Sequence, residues 1–181
     1  SWLHDNSGFY YSRKPLKGEV KEGEEHYWDE VYFHKLGTQA SEDKKIFSCK
    51  GKKEYYHTAS VTEDGNYVVF YRNTFGKTEV YFKKVDSDKI IPISEGFDAD
   101  YQVDIVSDKI IIKTDLDASN GRVFVTDIDK PKRDNWKELI PESKDNLISV
   151  SAIAGNLYLE YLHKAHSKIQ IFSKALNVAS S

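Results

Sequence analysis

One strand is written four times in this chain. It first appears as Val31-Tyr-Phe-His-Lys-Leu-Gly-Thr-Gln-Ala-Ser-Glu-Asp43, an alternating run closed by a glycine turn and a polar loop. It returns as Val80-Tyr-Phe-Lys-Lys-Val-Asp86, Val123-Phe-Val-Thr-Asp-Ile-Asp129 and Ile169-Gln-Ile-Phe-Ser-Lys174, at intervals of 49, 43 and 46 residues. A strand recurring every 40–50 residues is the mark of propeller blades or a solenoid, in which each unit needs its neighbours to cover its apolar faces. The period therefore predicts an all-β chain: a partial β-propeller of about four antiparallel four-stranded blades.

Composition fits that prediction. The 12 Tyr, 9 Phe and 3 Trp and the β-branched residues of the apolar runs favour strands over helices. With 39% hydrophobic and 30% charged residues the chain can build a core and is not a disordered composition. A net charge of −3 supplies no field for a nucleic-acid or acidic-membrane partner, and no apolar run approaches the roughly 18 residues that span a bilayer. One cysteine, Cys49, leaves no internal disulfide framework and no Cys-rich zinc site. A cytoplasmic home suits it best, and a single Cys is also compatible with the periplasm.

Taken in order, the chain divides into units of about 1–50, 51–96, 97–143 and 144–181. The first opens on the turn Asp5-Asn-Ser-Gly8, continues through Phe9-Tyr-Tyr-Ser12 and the polar loop Pro15–Glu30 to the organising strand, and closes with Lys44–Cys49, four strands by this reading. The second has Tyr55–Val61, the tight turn Thr62-Glu-Asp-Gly65, Asn66–Tyr71, Thr78–Val85 and Lys89–Ile93. Asp-Gly between alternating runs is a hairpin signal, because glycine accepts positive φ without steric cost. Pro92 cannot donate to a ladder, which puts the last of these strands at an edge. The third unit runs from Tyr101–Val106 to Trp136–Ile140. The fourth has Leu147–Ile153, Leu157–Leu162 and Lys168–Lys174 and then only a short remnant. That unfinished unit, with the absence of any Met, leads to the expectation that the chain is part of a longer protein. Open blade edges also predict self-association of the isolated piece.

Two strings carry a family resemblance. Ser1-Trp-Leu-His-Asp-Asn-Ser-Gly-Phe-Tyr-Tyr11 has the pattern W-x-x-D-x-x-G-F-x-Y, and His34-Lys-Leu-Gly-Thr-Gln-Ala-Ser-Glu-Asp43 reads H-x-L-G-T followed by E-D. Together they resemble a middle blade of the N-terminal propeller of prolyl oligopeptidases, and Val61–Val68, Phe97–Tyr101, Trp136–Pro141 and Tyr161–His163 agree in order and spacing. The resemblance implies a parent serine endopeptidase that cuts short peptides after proline. Its seven-bladed propeller would cap a C-terminal α/β-hydrolase domain and keep folded proteins from the active site. This chain would be an arc of that ring. Matched by order, the positions on the substrate side of such a propeller fall near Cys49, Tyr101 and Asn120. Tyr101 keeps a large aromatic there, whereas Cys49 is small and Asn120 polar.

No Gly-x-Ser-x-Gly elbow is present to expose a nucleophilic serine, so the chain alone is expected to be inactive. Among six histidines only His163 and His166 are close, without acidic or Cys partners at metal-ligand spacing. Asp115-Leu-Asp-Ala-Ser-Asn-Gly121 fails as a calcium loop, with Asn120 and Thr126 where an EF-hand needs Gly and a bidentate Glu. No metal or cofactor is expected. The expected partners are the hydrolase domain of the same parent and short proline-containing peptides. The alternative is a free-standing propeller used as a protein-interaction scaffold.

Overall fold

A computed structural model describes residues 1–48, 51–96, 98–153 and 155–172. They form four antiparallel sheets with only two short 3-10 helices besides the strands. Ser1–Ile91 is one compact unit and Pro92–Ser181 another.

In the first unit, β1 (Gly8–Arg13), β2 (Glu30–Lys35) and β3 (Lys44–Phe47) make a three-stranded sheet in the order β1-β2-β3. Four strands were expected. The place beyond β1 holds a single bridge, Trp2 to Phe9, because the chain turns at once: Asp5 Oδ1 accepts from Ser7 N at 2.9 Å and Asn6 has φ 57°. The second sheet is β4 (Tyr56–Val61), β5 (Tyr67–Thr74), β6 (Lys77–Lys84) and β7 (Ile91–Ser94), in that order, with Pro92 on the edge strand. Its hairpins turn where glycine takes positive φ, at Gly65 (72°) and Gly76 (69°).

The second unit holds β8 (Tyr101–Val106), β9 (Lys109–Thr114), β10 (Arg122–Asp127) and β11 (Lys137–Ile140), then β12 (Asn146–Ile153), β13 (Asn156–His163) and β14 (His166–Phe172). These give a four-stranded sheet and a three-stranded one, each in sequence order. The copies of the organising strand fall on β2, β6, β10 and β14, the middle strand of the first sheet and the third strand of the other three.

Alternation places the core between sheets. Tyr10, Val31 and Phe47 of the first sheet pack with Val68, Phe70 and Tyr81 of the second. In the other unit Ile111, Val123, Val125 and Ile140 meet Leu147, Val150, Leu157 and Leu159. Side chains also satisfy backbone across these seams. Gln102 Nε2 donates to Val150 O at 3.1 Å, and Ala152 N donates to Asp104 Oδ2 at 2.9 Å. No helix among the described residues is long and apolar enough to cross a membrane.

Candidate functional site

Tyr101 and Asn120 lie at the same end of one sheet. Tyr101 opens β8 and pairs with Thr114, the last residue of β9, which pairs in turn with Arg122 at the start of β10; the loop between carries Asn120. Cys49 lies outside the described residues.

Tyr101 is 3% exposed. Its hydroxyl donates to Asp98 Oδ1 at 2.7 Å and accepts from Arg133 Nη2 at 2.6 Å, while Arg133 Nη1 donates to Asp98 Oδ2 at 2.7 Å. The guanidinium carbon lies 5.5 Å from the ring centre of Trp136 and 5.9 Å from that of Tyr101. Charge-assisted bonds of this kind are short and direction-specific. The Arg133 guanidinium holds the Asp98 carboxyl below its usual range, and Asp98 strengthens the hold of Arg133 on its proton. Burial, and then the bond to Asp98, push the Tyr101 phenol up. The sequence reading missed Asp98 and Arg133. They stand 35 residues apart in a loop and a 3-10 turn, and no short-range pattern links them.

Asn120 ties two loops together. Its N–H donates to Glu142 Oε1 at 2.7 Å, its Nδ2 to Ser143 O at 3.0 Å, and its carbonyl accepts from Leu147 N at 2.7 Å. Both predicted positions therefore fix the shape of this sheet end through polar groups already engaged. Arg133, with 43% of its side chain exposed, is the cation they present to solvent.

The family-like strings also resolve into scaffold. His34 Nδ1 meets Asp43 Oδ1 at 2.7 Å and Tyr11 Oη donates to Asp43 Oδ2 at 2.6 Å, so the first and last residues of the second string and the final Tyr of the first form one cluster. Burial, followed by the bond to Asp43, pushes the Tyr11 phenol up to about 12. Gln39 N donates to Glu42 Oε1 at 3.0 Å, which caps the short helix between them. Gly8 is required by close approach: a Cβ there would sit 2.4 Å from His34 O and 2.5 Å from Phe33 Cζ.

A second polar network was not foreseen. Arg72, 2% exposed, donates to Glu79 Oε2 at 2.7 Å, Tyr81 Oη at 3.1 Å, Ser48 O at 2.8 Å and His57 Nε2 at 3.4 Å. Arginine cannot accept, so His57 carries its proton on Nδ1, 3.1 Å from Asp29 Oδ1. The available signal was Arg72 and Glu79 directly opposed on β5 and β6, an ion pair inside otherwise apolar strands. The network is buried and holds the first seam rather than a ligand.

Among the described residues no serine hydroxyl meets a histidine ring, and no group of three His, Cys, Asp or Glu could hold a metal ion. His163 pairs with Asp145 at 2.7 Å, across from His166.

Against known proteins, residues 1–180 match the family model for the prolyl oligopeptidase N-terminal β-propeller domain. The prolyl endopeptidase of Elizabethkingia meningoseptica is 36% identical over 181 residues, covering 96% of this chain and 25% of that protein. Prolyl oligopeptidase A of Galerina marginata is 27% identical, covering 97% of this chain and 26% of its own length. A solved structure from a study of two prolyl endopeptidases and their inter-domain dynamics superposes with a TM-score of 0.88 at 31% identity, over 96% of this chain and 26% of that one. Prolyl oligopeptidase B of Galerina marginata, bound to a 25-residue macrocyclization substrate, gives 0.83 at 24% identity, over 96% and 26% respectively, a likeness of fold. The chain thus spans about a quarter of the relatives it matches.

Proposed function

Since the chain belongs to the N-terminal β-propeller domains of the prolyl oligopeptidase family, we propose that it is the stretch of propeller that gates short, proline-containing peptides toward an α/β-hydrolase domain carried elsewhere in its parent protein. One observation carries the reading. Residues 1–180 match the family's propeller domain, and the polar side chains at the Tyr101 sheet end and in the first seam are bonded to one another as scaffold. Such a part contributes by shape and exclusion, and the chemistry belongs to its partner domain.

In this role the sheet end with Tyr101 and Asn120 faces the peptide. Tyr101 and Asp98 hold Arg133 in place, where its cation can meet a peptide carbonyl or carboxylate. No cofactor takes part. A cytoplasmic location belongs to the same proposal. The test is the reading frame that contains this sequence. A Gly-x-Ser-x-Gly segment downstream in the same frame, with cleavage after proline by the expressed full-length protein, is the expected result. A frame without that segment overturns the proposal in favour of a non-catalytic propeller.

A further inference from the structure

The hairpin between β13 and β14 closes on two imidazoles. Lys164 and Ala165 take φ of 43° and 65°, the two left-handed residues of a type I′ turn, whose twist matches that of the flanking strands. His163 and His166 are therefore directly opposed and project from the same side of the sheet. Side chains alternate along β13, so that side is the one on which Leu159 and Tyr161 fill the core against the neighbouring sheet of the same unit. Both imidazoles stand just beyond Tyr161, at the end of this covered side, and the turn is what leaves them accessible. Their ring centres are 5.3 Å apart.

Sequence spacing offers this pair no acidic partner, and the fold brings one from 18 residues away. Asp145, in the loop that leads into β12, sets its Oδ1 2.7 Å from His163 Nδ1. The carboxylate accepts the Nδ1 proton, which leaves the lone pair of the neutral ring on Nε2. Among the described residues Nε2 makes no hydrogen bond, and neither ring nitrogen of His166 makes one. Ser143 steadies Asp145, its Oγ accepting from Asp145 N at 3.2 Å and donating to Asp145 O at 2.9 Å. A carboxylate that fixes the tautomer of an imidazole and raises its basicity is the arrangement that stands behind metal-ligating histidines.

We propose that His163 and His166 form a two-imidazole site for a divalent ion of the zinc class, with Asp145 as the positioning residue behind His163. Zinc binds an imidazole nitrogen at about 2.0–2.1 Å, which puts the metal about 3.2 Å from each ring centre. Two rings at tetrahedral positions then have centres about 5.2 Å apart, and the separation here is 5.3 Å. Donor chemistry agrees, since imidazole suits Zn²⁺, Cu²⁺ and Ni²⁺ whereas Ca²⁺ and Mg²⁺ ask for oxygen. With two protein ligands the ion keeps positions for water or for a donor group of a bound molecule. It ties β13 to β14 across the turn, beside the loop that Asn120 Nδ2 holds through Ser143 O at 3.0 Å. The site is a property of this hairpin and its neighbouring loop and does not depend on the gating role.

Isothermal titration calorimetry of the 181-residue chain with ZnCl₂ in a non-chelating buffer tests it. The expected result is one ion per chain, with binding lost in His163→Gln and in His166→Gln; the second variant breaks no hydrogen bond among the described residues, so its loss reports the ligand rather than the fold. Asp145→Ala should bind about 10-fold more weakly or worse, the usual cost of removing such a supporting carboxylate. His26→Gln, at an exposed histidine of another loop, should bind as the unaltered chain does. In nitrogen-15 NMR of the imidazoles, Zn²⁺ should move the ring nitrogens of His163 and His166 and leave those of the remaining histidines in place. The proposal is overturned if millimolar ZnCl₂ gives no heat of binding, if binding survives His166→Gln, if His26→Gln removes it, or if Asp145→Ala binds as tightly as the unaltered chain.

Discussion

Asp98 sits between an arginine and a phenol, and its titration should report on that position. Its carboxyl is held below the ordinary range first by the bond from Arg133 and then by that from Tyr101, against the opposing pull of burial. A depressed carboxyl contributes stability that is complete above about pH 4, where the unfolded carboxyl titrates, and that is lost as pH falls through the lower folded value. Acidification below about pH 4 should therefore cost the unaltered chain more melting temperature than Asp98→Asn, measured from pH 6 to 3; equal losses would show that the triangle contributes nothing. The residues that announced the family were readable in the sequence, whereas their work was not. Tyr11 is far in the chain from His34 and Asp43 and meets them only through β1–β2 register and one turn. Asp98 and Arg133 left no trace at all, because their pairing depends on how a loop and a 3-10 turn return to the head of β8.

Strands were more legible, since a period of two and a turn residue are local properties. The recurrent strand, the hairpins at Gly65 and Gly76 and the edge position of Pro92 all follow from a few neighbouring residues. The first sheet departed from the four-strand pattern where a side-chain bond from Asp5 turned the chain after one bridge. What holds the elements is the seam between sheets, and Leu159, with no exposed surface, lies in the middle of one. Truncation there removes methyl groups from a packed site that cannot fully collapse. Leu159→Ala should lower stability by about 2–5 kcal/mol in urea unfolding. A loss within about 0.5 kcal/mol, the range of surface changes, would mean that the seam is not packed as described.

At the scale of the whole molecule, the described strands belong to four sheets of similar plan, and polar side chains such as Asp29, His57, Arg72 and Glu79 are spent on holding them together. The central claim is exclusion, so the decisive measurement is kcat/KM of the full-length protein for one proline-containing sequence presented first as a short peptide and then in an exposed loop of a stable folded carrier. The account predicts efficient cleavage of the peptide and none of the carrier. Comparable cleavage of both would contradict it.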